Sequence, residues 1–246
     1  MRLLIINPNI SLSVTELIEA EARRTAAADT QILMATAASG VAYIETRFEA
    51  LLGGHAAAVI AGEQLGNYDA VVVAAFGDPG LLALREVLQV PVVGLTEAAL
   101  MTAAQLGQRF SIIAISQRIT PWYRECVEYN GLLGRLASIR HLDRPLRDAG
   151  SVQDDHGQRL LELCHLAVKE DGADVLILAG APLAGLARGL AGQLPVPVVD
   201  GVSCAVAQAQ VLHRLQAGQA RAGSFARPPR KPNQGLPPGL QALLRA

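Results

Sequence analysis

The chain contains few aromatic residues for its size. Aromatic side chains make up 4% of its 246 residues, whereas hydrophobic residues of all kinds make up 51%. A core without many rings has to be filled by Ala, Val, Leu and Ile. This composition favours parallel β-sheets covered by Ala-rich helices, because such sheets are buried on both faces.

Cysteine and net charge are also scarce. The three cysteines, Cys126, Cys164 and Cys204, show no CxxC or Cys/His ligand spacing, so we expect neither a zinc site nor a disulfide framework. A net charge of −1 offers no basic stripe to neutralise a phosphate backbone, which argues against a nucleic-acid partner. No phosphate-binding loop, dinucleotide fingerprint or metal signature is present. The sequence therefore predicts a small-molecule substrate, no cofactor and no metal.

Long apolar runs are missing as well. The longest uncharged apolar stretch, residues 175–187, is shorter than the roughly 20 residues that a transmembrane helix needs. The opening "MRLLIINPN" has an apolar run too short for the core of a signal peptide. We expect no membrane association and a cytoplasmic location.

Short β-branched runs alternate with Ala-rich stretches along the whole chain. Strands separated by helices imply right-handed βαβ crossovers and parallel sheets, which predicts an α/β fold. The first helix is predicted to begin at Ser13, because Ser13 and Glu16 have the spacing of a capping box. The predicted strands are residues 2–6, 31–36, 70–76, 90–95, 110–116, 136–142, 174–180 and 196–201.

One strand-and-turn pattern occurs twice. The segment "DAVVVAAFGDPG" from Asp69 and the segment "DVLILAGAPLAG" from Asp174 are each followed by a helix and a "VPVV" strand. The repeat predicts two similar half-domains with parallel sheets flanked by helices, related by a pseudo-twofold axis. We assign residues 1–97 and 204–226 to the first, residues 98–203 to the second, and residues 227–246 to a Pro-rich tail.

The repeat also predicts where a ligand binds. In open α/β sheets, ligands lie beyond the carboxyl ends of the strands. Ala75–Asp78 and Gly180–Leu183 would then form opposite walls of one cleft, and the active site is predicted in this cleft between the half-domains.

Several ordered motifs extend over nearly the entire chain. They are "INPN.S" at residues 6–11, "IET" at 44–46, "AFGDPGL" at 75–81, "PVVGLTEAAL" at 91–100, "RFSI" at 109–112, "EDGADVLILAGAPLAGLA" at 170–187 and "VPVVDGV" at 196–202. With these motifs the chain resembles the hydantoin and allantoin racemase group of the aspartate/glutamate racemase superfamily. The resemblance implies two half-domains with the active site between them, two cysteines that exchange the α-proton from opposite faces, and a homo-oligomer.

Both family cysteines are missing. Ala75 and Gly180 stand at their places. Racemisation needs a base on one face of the carbon and an acid on the other, and neither a methyl group nor a hydrogen can serve. We therefore favour non-cysteine chemistry, by water attack or group loss, on a hydantoin-like or thiohydantoin-like five-membered cyclic amide. A racemase with substitute acid and base residues, and a non-catalytic protein that binds such a ligand, are the alternatives.

Three residues are candidates for the catalytic groups: Asp78, Glu45 and Ser116. Asp78 lies three residues after the lost cysteine, although "DPGL" also reads as a helix cap with proline at the first helical position. Glu45 is a carboxylate near a predicted strand or loop end. Ser116 follows a predicted strand, where its hydroxyl could hold a substrate carboxylate or position a water.

The substrate-binding candidates lie in three turns. Asn7 and Asn9 could bind carbonyl oxygens or simply form the turn after the first strand. Ser11 could contact the ligand or cap the helix. Phe76 could stack on a planar ring or pack in the core, and Gly77 could present backbone N–H groups to an oxyanion. The remaining candidates are Ala75, Gly180, Ala181 and Pro182.

Three aromatic residues near the predicted cleft have two possible roles. Tyr43 could project into the cleft, and Trp122 with Tyr123 could form part of a lid. As packing anchors, all three would instead only fill the core.

Overall fold

The architecture consists of two four-stranded parallel sheets, seen in a computed structural model that describes residues 1–143 and 148–245. The predicted α/β fold is therefore confirmed, and every predicted strand is found. The strands are β1 (Arg2–Asn7), β2 (Gln31–Thr36), β3 (Ala70–Val73), β4 (Val92–Gly94), β5 (Phe110–Ala114), β6 (Leu136–His141), β7 (Val175–Leu178) and β8 (Val198–Asp200).

Helices follow or precede each strand. No helix in the described part of the chain is long and apolar enough to cross a membrane. The α-helices are α1 (Leu12–Thr25), α2 (Arg47–Glu63), α3 (Leu81–Val87), α4 (Leu95–Leu106), α5 (Thr120–Tyr129), α6 (Val152–Lys169), α7 (Leu186–Gly189), α8 (Gly201–Leu215) and α9 (Pro238–Arg245).

The two sheets repeat the same strand order. The first sheet has the order β2-β1-β3-β4 and the second the order β6-β5-β7-β8. In register, Ile5 of β1 pairs with Val72 of β3, and Ile112 of β5 pairs with Ile177 of β7. The internal repeat read from the sequence thus corresponds to two equivalent sheets.

The core has one inner layer and two outer layers. Alternation along a strand sends successive side chains to opposite faces. Along β1, Leu3 and Ile5 join the large apolar cluster that contains residues of both sheets, while Leu4 and Ile6 join a separate cluster behind the first sheet. The cluster behind the second sheet is built in the same way.

Two helices cross between the half-domains. Helix α4 follows β4 of the first sheet but packs against β7 and β8 of the second, and α8 follows β8 but packs against β3 and β4. The division predicted from the sequence, with its boundaries, stays a prediction. Residues 144–147 of the second half-domain and residue 246 of the tail lie outside the described residues.

The first helix begins two residues earlier than its capping-box pattern predicts, so that prediction was wrong. Its N-cap is Ser11, whose side chain accepts a hydrogen bond from the Val14 backbone N–H. The reason lies in the preceding turn, where the Asn9 side chain accepts the Ser11 N–H at 2.9 Å and fixes the chain before the helix. A true capping box occurs instead at α2, between Thr46 and Glu49.

The C-terminal helix docks against α2. The contact is close, because a Cβ on Gly62 would lie 1.9 Å from the carbonyl oxygen of Gly239. The predicted Pro-rich tail therefore ends in a helix held against the first half-domain.

Candidate active site

The first of the two turns follows β3 and is shaped by glycine. Gly77 has φ 103°, and a Cβ there would fall 2.3 Å from ring atoms of Trp122. The Gly77 N–H donates to the Thr96 hydroxyl. Phe76, next to it, is 3% exposed. The glycine is therefore required both by the backbone conformation and by the approach of the indole, and Phe76 is held in the core.

The second turn follows β7 and also begins with a glycine of positive φ. Gly180 has φ 111°, and the short 3-10 helix Ala181–Leu183 follows it. The Gln153 side-chain amide donates to the carbonyl oxygens of Pro182 at 2.9 Å and Ala184 at 3.0 Å. These two bonds fix the turn from α6.

One tyrosine lies between the two turns. The ring centroid of Tyr123 is 4.7 Å from that of Phe76. Its hydroxyl oxygen is 3.9 Å from the position that a Cβ on Gly180 would occupy. The two turns that were predicted as opposite walls therefore flank the same aromatic side chain, which is 2% exposed.

Two of the three catalytic candidates contact each other. The Ser116 hydroxyl donates to the Glu45 carboxylate. The hydroxyl oxygen of Ser116 also accepts a hydrogen bond from the Arg118 backbone N–H at 3.2 Å. Glu45 lies just before α2 of the first half-domain and Ser116 just after β5 of the second, so the hydrogen bond spans the boundary between them. Both side chains are partly buried.

The third candidate, Asp78, caps a helix, but not the one expected from its sequence. Its two carboxylate oxygens accept the backbone N–H groups of Thr96 and Glu97, each at 2.8 Å, at the start of α4. The N-cap of the following helix α3 is Gly80, so the predicted cap on that helix was wrong. The reason is the φ of 50° at Asp78, which turns its side chain toward Gly94. Burial raises the pKa of Asp78 to about 7, against the opposing effect of the two N–H donors.

The asparagine turn is internally satisfied. The buried Asn7 side chain donates to Asn9 Oδ1 at 3.1 Å, to the Ser11 carbonyl at 3.0 Å and to the Thr15 hydroxyl at 2.9 Å. Asn7 Oδ1 accepts the Asn9 N–H at 3.2 Å. These bonds favour the turn-forming role of Asn7 and Asn9 and the capping role of Ser11. Contact of these residues with a ligand stays a prediction.

Tyr43 has a feature that the sequence did not reveal. Its hydroxyl is buried and has no hydrogen-bond partner among the described residues. Burial raises the pKa of Tyr43, and the nearby carboxylates of Glu45 and Glu49 raise it further.

Two of the three cysteines lie near the elements described above. Burial raises the pKa of Cys126 to about 12 and that of Cys204 to about 11, so both thiols are protonated at neutral pH. Cys126 lines a cavity of about 510 Å³ beside the Gly77–Asp78 turn. Within residues 1–143 and 148–245, no group of three or more His, Cys, Asp and Glu side chains is arranged to hold a metal ion.

Comparison with known proteins agrees with this architecture. A model of the Asp/Glu/hydantoin racemase family matches residues 3–209. The hydantoin racemase of Paenarthrobacter aurescens is 37% identical over 238 residues, which cover 94% of this chain and 99% of that protein. The hydantoin racemase of a Pseudomonas species is 34% identical, with 94% and 93% covered.

Solved structures give the same result. Allantoin racemase from Klebsiella pneumoniae superposes with a TM-score of 0.90 at 36% identity, covering 96% of each chain. Arylmalonate decarboxylase superposes with a TM-score of 0.64 at 16% identity over 88% of this chain and 94% of its own, and shares the fold.

Proposed function

The chain belongs to the Asp/Glu/hydantoin racemase family, and from this premise we propose that it acts on a hydantoin-like or thiohydantoin-like five-membered cyclic amide without cysteine catalysis. It is an enzyme of the racemase superfamily. The relatives named above are hydantoin and allantoin racemases, whose names identify cyclic ureides as the ligand class. Ala75 and Gly180 remove the acid and base that the resemblance assigns to cysteine.

The hydrogen bond between Ser116 and Glu45 carries the proposal. A carboxylate that accepts a hydrogen bond from a hydroxyl can also accept one from a water, and it acts as a general base when it takes the proton of that water during attack. The water oxygen adds to a ring carbonyl or thiocarbonyl carbon while its proton passes to Glu45. The ring C–N bond then breaks as the nitrogen takes that proton. With a thiocarbonyl, the C–S bond breaks instead and hydrosulfide leaves.

The alternative reaction, racemisation with substitute residues, is favoured by one observation. The Tyr123 hydroxyl is 3.9 Å from where a side chain at position 180 would begin, so it lies beside the place at which the resemblance implies the second cysteine. However, burial raises the pKa of Tyr123 well above its ordinary value, with further increases from Tyr43 and Cys126. A phenol whose pKa is raised is a weaker acid, and almost none of it is present as the phenolate that could act as a base, whereas racemisation needs both an acid and a base. Water attack with Glu45 as base is therefore the better-supported reaction.

The test follows proton exchange and product formation together. The purified protein is incubated in D₂O with the L- and D-forms of a 5-substituted hydantoin and with its 2-thio analogue. Optical rotation, proton NMR and sulfide release are recorded against a protein-free control. We expect a ring-opened product or released sulfide without enzyme-dependent loss of the C5 proton signal. Loss of that signal with no new product would establish the racemase instead, and binding without either reaction would establish a ligand-binding protein.

Two variants connect the reaction to the site. Glu45→Gln keeps the shape of the side chain and removes the base, and we expect a fall in kcat of about 10²- to 10⁴-fold. Glu128→Gln is the matched control, because Glu128 is an exposed carboxylate on α5. Equal activity of the Glu45→Gln variant and the wild-type protein would remove Glu45 from the mechanism.

We further propose that the protein is a homo-oligomer, as the family resemblance implies. Helix α8 exposes Val211 and Leu215, which are 55% and 65% exposed. Light scattering decides the question, since a single subunit has a mass of 25.9 kDa.

A further inference from the structure

The buried hydroxyl of Tyr43 has no hydrogen-bond partner among the described residues. A buried donor without an acceptor destabilises a folded protein, and such atoms are rare. Only one other buried side-chain atom in the described residues shares this property, Glu21 Oε2, and it lies 3.6 Å from the Arg24 guanidinium. Among the described residues, the Tyr43 hydroxyl is therefore the one buried hydroxyl without a hydrogen-bond partner, and no ion pair compensates it.

Tyr43 lies where the two half-domains meet. The ring packs against the inner apolar cluster and also against the cluster behind the second sheet, so Tyr43 connects the two half-domains. Glu45 follows two residues later and hydrogen-bonds to Ser116. Tyr43, Tyr123 and Glu45 lie near enough that charges on Tyr43 and Glu45 raise the pKa of Tyr123. The unpartnered hydroxyl thus belongs to the same cluster as the proposed base.

A second buried tyrosine shows what a structural hydroxyl looks like in this protein. Tyr68 is 4% exposed, and its hydroxyl donates to the Ala61 carbonyl oxygen at 2.8 Å. Tyr68 lies just before β3, and its hydroxyl bonds to a carbonyl of α2. The contrast is therefore between the Tyr68 hydroxyl, which has a hydrogen-bond partner within the protein, and the buried Tyr43 hydroxyl, which has none.

We propose that Tyr43 is the hydrogen-bond donor for the substrate, and that its hydroxyl donates to a ring carbonyl oxygen or thiocarbonyl sulfur of the cyclic amide. This inference rests on the proposed function and assigns a new residue to it. The phenol stays protonated because burial and two neighbouring carboxylates disfavour the phenolate. When water adds to the ring, negative charge develops on the carbonyl oxygen or thiocarbonyl sulfur, and a fixed donor in a buried site stabilises that charge.

The experiment compares Tyr43→Phe with Tyr68→Phe as its matched control. Each variant loses one buried hydroxyl and keeps its ring. The probe is 5,5-dimethylhydantoin, which has no C5 proton, together with its 2-thio analogue. Dissociation constants are measured by calorimetry, and the stability of the ligand-free proteins is measured by urea unfolding.

The two variants should respond in opposite ways. Tyr43→Phe should be at least as stable as the wild-type protein without ligand, and should bind the probe about tenfold more weakly. Tyr68→Phe should be less stable and should bind the probe as the wild-type protein does. Unchanged probe affinity in Tyr43→Phe would overturn the donor role. A loss of ligand-free stability equal to that of Tyr68→Phe would overturn it as well, because the hydroxyl would then have a partner inside the protein.

Failure of the proposed function gives a different result. If the wild-type protein binds neither probe and leaves 5-substituted hydantoins unchanged, the ligand class is wrong and the donor role falls with it. If the wild-type protein binds the probe and Tyr43→Phe binds it equally, only the assignment of Tyr43 is wrong.

Discussion

Introducing a cysteine at position 180 should destabilise the protein through its backbone rather than through a clash. A Cβ on Gly180 would have Pro182 Cδ at 3.6 Å, Ile115 Cδ1 at 3.8 Å and the Tyr123 hydroxyl at 3.9 Å as its nearest neighbours, which are ordinary contacts. The residue nevertheless has φ 111° and ψ 141°, a conformation that residues with a Cβ rarely adopt. Holding an L-residue there costs about 1–3 kcal/mol.

The free energy of unfolding is measured by urea unfolding, monitored by circular dichroism. In a thermal scan of the same variants, each 1 kcal/mol of lost stability should lower the Tm by about 2–4 °C for a domain of this size. Gly180→Ala should lose about as much stability as Gly180→Cys, because both add the same Cβ. Gly157→Ala is the control, since Gly157 lies inside α6 with nothing within 4 Å of an added Cβ, and it should gain about 0.5–1 kcal/mol. Wild-type stability in Gly180→Ala would refute the backbone argument.

The cysteine variant also has an expected activity. Gly180→Cys alone should not racemise the hydantoin that remains unreacted, as followed by chiral chromatography. Racemisation needs groups on two faces, and Ala75 still offers neither acid nor base on the other wall.

Two further predictions concern the cap that Asp78 provides for α4 and the contact between α2 and α9. Asp78 has a pKa of about 7 in the folded protein against a reference value of 3.8, so between about pH 4 and pH 7 the folded state holds a proton that the unfolded state has lost. Stability should therefore fall as pH rises through that window, by at most about 4 kcal/mol, and Asp78→Asn should remove this slope in urea unfolding at pH 5 and pH 7.5; equal slopes would contradict the burial of a protonated carboxyl. Gly62→Ala should separate α9 from α2, because its Cβ would lie 1.9 Å from the Gly239 carbonyl oxygen. Limited proteolysis should then remove the C-terminal segment faster than in the wild-type protein, and an unchanged rate would show that the two helices can move apart without loss of the contact.

The strands could be predicted from the sequence because each is a short β-branched run between turn residues. Their ends could not. The predicted strand 70–76 stops at Val73, and the predicted strand 174–180 stops at Leu178. Ala74 and Ala179 each still donate one backbone hydrogen bond, to the carbonyls of Ile6 and Ile113, and then the chain leaves the sheet. Apolar side chains continue past that point because the turns are buried. The apolar pattern in the sequence therefore indicates which residues are buried, not which residues pair with a neighbouring strand.

The site was predictable in part for the same reason. Glu45 and Ser116 were each placed near the end of a strand or loop, but their hydrogen bond joins residues 71 positions apart and depends on how the half-domains meet. Asp78 was predicted as a helix cap, yet which helix it caps is decided by the φ of 50° at that residue. The missing partner of Tyr43 is a property of three-dimensional packing, and no local pattern records it.

The two positions at which the resemblance implies cysteines are physically different. Ala75 is not among the described residues with positive φ, so its backbone does not call for glycine, and a cysteine there would differ from it only in the side chain. At position 180 the backbone has a conformation suited to glycine, and the Gln153 side chain donates a hydrogen bond to the Pro182 carbonyl oxygen in the turn that follows. Reverting the first position requires one substitution, whereas reverting the second requires a different turn. Because glycine shapes the second turn and Glu45 and Ser116 pair across the boundary of the half-domains, we propose a reaction driven from one side by a single base rather than proton exchange on both faces.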